Sequence, residues 1–183
     1  MKELFKKYKS VIKFILTFLL VYSALSMSYK LYLDYSDGIK FYPDYITNLV
    51  ARQSRSLIET VGYKVEIVPH PNEASMKLII NDKYVARLIE GCNSISVIIL
   101  FVSFIFAFSG KFKTTLFYML FGCVLIYAVN LIRLVIITIG LYNYPWRREI
   151  LHAVIFPLII YGLVFLLWMF WVNRFANLKT KND

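Results

Sequence analysis

The sequence predicts a mainly α membrane protein with about four transmembrane helices and a small extracytoplasmic α+β cap between helices 1 and 2. Three observations predict it. Of 183 residues, 59% are hydrophobic and the mean hydropathy is +0.61, whereas soluble domains hold about 45–50% apolar residues. Four apolar stretches approach or reach the length of a membrane span. Lysines and arginines gather beside those stretches, where they orient helices across a bilayer. The net charge of +10 is accounted for by that placement, so no nucleic-acid partner is expected. The 14 Tyr and 15 Phe suit lipid-facing and interfacial positions.

The first apolar stretch runs from Val11 to about Met27. With Lys6, Lys7 and Lys9 before it, a cleavable signal peptide is one reading. The length of the run and the want of an A-x-A site favour a retained anchor, giving residues 1–29 a cytoplasmic tail and helix 1. The second stretch, Ile95–Phe108, is short unless Cys92 and Asn93 open it. The third runs from Thr114 to about Tyr142 and the fourth from Leu151 to Val172. Basic residues before the first (Lys2, Lys6, Lys7, Lys9, Lys13), between the second and third (Lys111, Lys113) and after the fourth (Arg174, Lys179, Lys181) put both termini in the cytoplasm if the count is even. Arg147 and Arg148 oppose this weakly. The protein is then a multi-pass component of the cytoplasmic membrane, in contact with membrane lipid.

Residues 30–91 fall outside in that topology. Ile46, Leu49, Val50, Leu57 and Ile58 recur at helical spacing between Asp44 and Thr60, an amphipathic helix. Tyr63–Val68 reads as a strand. Lys77–Ile80 and Tyr84–Ile89 flank Asn81-Asp82-Lys83, a hairpin signal. Residues 92–183 form the remaining unit, with helices 2–4 and a cytoplasmic tail.

Three residues in that unit can carry chemistry. Cys92, in Glu90-Gly91-Cys92-Asn93-Ser94-Ile95, stands where the cap meets helix 2. Gly91 leaves the backbone free to turn, and a helix start can stabilise a thiolate; a small packing residue is the plainer alternative. Arg133 is flanked by apolar residues on both sides, and an arginine inside a span faces a protein interior or a polar cavity, or snorkels to the headgroups. Asn130 shares its helix face. His152 opens helix 4 and titrates near neutral pH, although a lone interfacial histidine is commonly a surface residue. Arg133 lies 19 residues after Thr114, about 28 Å along the helix. Alternating helix directions therefore bring Cys92, Arg133 and His152 to one depth, the outer face, and leave Cys123 near mid-bilayer, out of disulfide reach. A thiol nucleophile, a proton-transferring imidazole and a cation for the oxyanion make a coherent acyl-transfer set. No cysteine or histidine spacing marks a metal site, no phosphate loop is present, and no cofactor is expected.

At Glu90-Gly91-Cys92-Asn93-Ser94-Ile95, Asn130-Leu131-Ile132-Arg133 and Leu151-His152-Ala153 the sequence resembles the exosortase/archaeosortase family, with the short F-type exosortase branch the nearest in length and in its preceding outer segment. The resemblance covers roughly Ile89–Pro157. Many exosortases have more spanning helices, and Ser often follows the cysteine where this chain has Asn93. The resemblance implies a membrane cysteine transpeptidase or protease that cleaves a C-terminal sorting signal of exported proteins, a short motif followed by a hydrophobic helix and a basic tail. It implies Cys92 as nucleophile, His152 as proton-transfer residue and Arg133 as electrostatic stabiliser. Glu90, Asn93 and Asn130 are expected to support them or to bind substrate. The alternative is a non-enzymatic assembly or chaperone subunit of an export or sorting system, with the cap as its partner surface. The target protein, the acceptor nucleophile and the oligomeric state are not legible in the sequence.

Overall fold

A computed structural model describes residues 8–36, 38, 40–108 and 110–175, with the side chains of His152, Ala153 and Phe156 also outside the description. The basic residues Lys2, Lys6, Lys7, Lys179 and Lys181, used above for orientation, lie outside the described residues. Five long helices and a small sheet follow in order: α1 (Lys9–Asp34), α2 (Tyr45–Thr60), β1 (Val65–Pro69), β2 (Met76–Ile80), β3 (Lys83–Leu88), α3 (Ile95–Ala107), α4 (Phe112–Asn143) and α5 (Phe156–Phe175). Three of these helices, α1, α4 and α5, are long and apolar enough to cross a membrane. The second apolar stretch forms a helix of only 13 residues, about 20 Å at roughly 1.5 Å per residue. It does not extend back through Asn93 and Cys92. Ser94 adopts φ +66°, a left-handed backbone conformation that ends any helix running into it.

The segment between α1 and α3 has the elements its sequence pattern predicts. Asp44 caps α2, its side chain accepting from the amides of Ile46 and Thr47. Val50, Ala51, Ser54 and Ile58 of α2 are buried, the stripe spaced to lie on a sheet. The sheet is antiparallel in the order β1-β2-β3. Ile80 pairs with Lys83, and the two residues between them, Asn81 and Asp82, have φ +47° and +63°. That is the geometry of a two-residue hairpin turn matched to strand twist, which Asn and Asp tolerate. A bulge between Leu78 and Ile79 leaves Val85 as an extra residue in β3.

Two apolar cores result. One joins Val50, Ala51 and Ile58 of α2 to Val65, Met76, Leu78, Ile80 and Leu88 of the sheet and to Leu134 of α4. The other lies among α3, α4 and α5, around Phe101, Ile126, Ile160, Val164 and Trp171. α4 contributes to both. α1 has no buried residue; it runs along α3, with Phe14 against Phe104 and Phe108 at ring separations of 5.5 and 4.5 Å.

Gly122 sets the spacing of α3 and α4. A Cβ built there would overlap the ring of Phe101, itself fully buried. Small residues at such crossings let helices approach closely. Gly122→Val should therefore lower stability by about 1–3 kcal/mol. Gly162→Ala, at a position with open space around it, should be neutral or stabilising by up to about 1 kcal/mol. Thermal unfolding of both variants in one detergent measures the contrast, and equal midpoints would mean that the α3–α4 contact is not close.

Candidate functional site

The chain leaves β3 through a single 3-10 turn, Glu90–Cys92. The Cys92 amide donates to the Ile89 carbonyl (2.9 Å) and the Asn93 amide to the Glu90 carbonyl (3.2 Å). Cys92 thus precedes the helix rather than opening it, and Asn93 serves the helix start: its Oδ1 accepts from the Ile95 amide at 3.0 Å, one of the first-turn donors without an intrahelical partner. The positive φ in this turn is at Ser94, not at Gly91. An L residue held there stores about 1 kcal/mol or more of backbone strain, so its surroundings must hold it in place. Ser94 is buried and its hydroxyl donates to the Asn93 carbonyl at 2.6 Å.

Asn93, only 1% exposed, is the centre of that support. Its Nδ2 donates to the Tyr29 hydroxyl of α1 (2.7 Å) and to Thr47 Oγ1 of α2 (3.1 Å). Tyr32, one turn on from Tyr29, donates to Asp44 Oδ1 at 3.3 Å. A web of polar side chains therefore fastens α1, the α2 start and the Cys92 turn to one another. Asp44 is signalled in the sequence as a helix cap. Tyr29 and Thr47 have no such signal, since their partners are far away in the chain.

From the other side α4 presents Asn130, 0% exposed, and Arg133, 3% exposed. Asn130 Nδ2 donates to the Cys92 carbonyl at 2.9 Å. The Arg133 guanidinium lies within electrostatic reach of the Cys92 thiol and of the Tyr161 phenol on α5. An arginine buried at this depth needs such polar company. Cys92, Asn93, Asn130 and Arg133 are thus brought together. Glu90 has an exposed side chain that makes no hydrogen bond or ion pair with the site among the described residues, and its carboxylate is within electrostatic reach only of the Tyr29 phenol there. The His152 backbone lies in a five-residue π-helical stretch, Leu151–Ile155, between a short turn at Arg148–Ile150 and α5; its side chain is outside the description. Widened turns of this kind occur often at functional sites.

Cys92 also lines a cleft of about 680 Å³, within the usual range for a ligand site of about 300–1,000 Å³. One wall is β3, the other is the face of α4 made by Leu134, Ile137, Thr138 and Leu141, and Arg148 and Glu149 stand at its edge. Among the described residues no group of three or more metal-ligating side chains occurs.

No known family's sequence model, curated protein or solved structure matches this chain. The site therefore rests on its own geometry.

Asn93→Ala removes three hydrogen bonds and leaves the Tyr29 and Thr47 hydroxyls facing a gap. It should cost about 1–3 kcal/mol and raise the alkylation rate of Cys92 by a water-soluble maleimide severalfold. Stopped alkylation with peptide mapping measures this, and an unchanged rate would mean that Asn93 does not hold the turn.

Proposed function

We propose that this chain is a membrane-embedded cysteine peptidase or transpeptidase that cleaves a C-terminal sorting signal of exported proteins at the outer face of the cytoplasmic membrane. The observation that carries the reading is that Cys92, which lines a cleft large enough for a peptide, also meets buried Asn130 and Arg133 behind it. A structural cysteine needs neither a buried cation beside it nor an open cleft.

In this reading α3 is the second of four spans. Its short apolar length is accommodated by local thinning of the bilayer, and both termini are cytoplasmic. The Cys92 thiol gives its proton to His152, and the sulfur attacks the scissile carbonyl carbon. The carbonyl π electrons move to oxygen, and the Arg133 guanidinium stabilises the oxyanion. When the oxyanion collapses the C–N bond breaks and the leaving amine takes the proton from His152. The acyl group remains on sulfur as a thioester until water or an amine attacks it and restores the thiol. Asn130 fixes the Cys92 backbone, and its Oδ1, buried and without a hydrogen-bond partner among the described residues, can accept from an N–H entering the site. Asn93 holds the turn from behind. Glu90, exposed, has no assigned part.

Cells producing the chain together with an exported protein that ends in a hydrophobic helix and a basic tail supply the test. Cys92→Ala should stop shortening of that protein while the variant still accumulates in the membrane. Arg133→Gln should slow it by about 100-fold, the usual loss for one oxyanion donor. A hydroxylamine-labile adduct on Cys92, seen by mass spectrometry in wild type and absent in Cys92→Ala, is the expected intermediate. Normal processing by Cys92→Ala would sink the reading.

A further inference from the structure

The cleft beside Cys92 has an asymmetry that identifies what it can hold. Ala86, Arg87 and Leu88 are successive residues of β3, and all three line it. Successive side chains of a strand point to opposite faces. A cavity that touches all three meets the strand's backbone as well as one of its faces. β2 covers one edge of β3 and no strand covers the other. Among the described residues no backbone hydrogen bond joins residues 83–88 to any group beyond β2. The opposite wall of the cleft is a helix face, whose own backbone groups are satisfied within α4. The free edge of β3 is therefore a row of donors and acceptors turned toward a cleft, with an aliphatic face of α4 across from it. This is the arrangement that takes up an extended peptide as an added strand.

We propose that the cleft binds an extended peptide of about four residues as a strand added to β3, running parallel to it, with its C-terminal end at Cys92. The inference rests on the reading of Cys92 as a nucleophile and goes beyond it by naming how substrate is held. Direction follows from topology. β3 runs from the Asn81–Asp82 turn, which Asn81 ties to the Tyr142 hydroxyl near the end of α4 (3.1 Å), toward Cys92, which Asn130 ties twelve residues deeper in α4. A sorting signal delivers its acyl part first and its hydrophobic helix after the cut, so its C-terminal direction must point from the cleft mouth toward Cys92. Side chains on one side of such a peptide meet Leu134, Ile137 and Leu141 and should be aliphatic. Of the charged residues lining the cleft, Arg87 is paired with Glu73, and Arg148 is balanced by Glu149. A neutral peptide suits a lining whose charges balance.

The test uses the full chain in detergent with Cys123→Ser, so that Cys92 is its one thiol. The probe is acetyl-Glu-Val-Ala-Val chloromethyl ketone; the Cys92 sulfur bonds its methylene carbon and chloride leaves. Comparators are the same peptide with alternate backbone nitrogens methylated, and chloroacetamide, which has no peptide to dock. The plain probe should alkylate Cys92 at least about tenfold faster than the methylated one, as expected for loss of one or two backbone hydrogen bonds. Ala86→Phe, which narrows the cleft, should bring the plain probe down to the methylated rate when both are taken relative to chloroacetamide on the same variant. Equal rates for plain and methylated probes, with Cys92 still reactive to chloroacetamide, would overturn the docking mode and leave the nucleophile standing. Cys92 inert to every reagent would overturn both the nucleophile and the docking that depends on it.

Discussion

A helix of 32 residues is longer than a bilayer is thick, and this one carries both apolar cores of the structure. α4 extends for about 48 Å, against about 30 Å of hydrocarbon. A helix of that length crossing a bilayer has about a third of itself outside the hydrocarbon. Its buried positions, from Thr115 and Gly122 to Thr138 and Leu141, keep to one side along the whole length. Over the first part that side meets Phe101 and the α5 residues; over the last part it meets α2, the sheet and the Cys92 turn. The α/β segment is thereby built onto the same shaft as the apolar bundle, with no second scaffold.

The polar residues lie where one core gives way to the other. Ile126 is in the bundle core and Leu134 in the α/β core, and Asn130 and Arg133 fall between them in the chain. A buried cation and a buried amide are costly inside either core. At the seam they meet a backbone carbonyl, a thiol and a phenol. The cleft opens at the same level because β3, bulged and uncovered at its edge, does not close against α4. The strained Ser94 is held there by the web around Asn93.

Much of the fold was legible because it depends on periodicity and local chemistry. The apolar runs predict α1, α4 and α5; the spacing from Ile46 to Ile58 predicts α2; Asn81-Asp82 between two β-rich runs predicts the hairpin. The limits of α3 were not legible. Nothing in Cys92-Asn93-Ser94 announces a left-handed serine, because its conformation is imposed by bonds to Tyr29 and Thr47, distant in sequence. The nearness of Cys92, Asn130 and Arg133 could be inferred from helix direction and rise, since all three depend on where long helices end. Glu90 was named for its place beside Cys92, but a 3-10 turn directs neighbouring side chains apart. The cleft itself could not be read, because it arises from a strand edge that fails to meet a helix, and sequence patterns describe contacts made rather than contacts missed.

The way β3 is fastened bears on how the cleft can move. Beyond its start, Asn81 is bonded to Tyr142; beyond its end, Cys92 is bonded to Asn130. Both anchorages are on one continuous helix, so their separation is as constant as the helix is stiff. The strand is strung between them like a cord on a bow. Rocking of the α/β segment as a body would break an anchorage, whereas outward flexing of the strand's middle strains neither. The bulge at Val85 puts the least regular part of the strand near that middle. Any widening of the cleft is thus a change of breadth at fixed length, greatest near its centre and least beside Cys92.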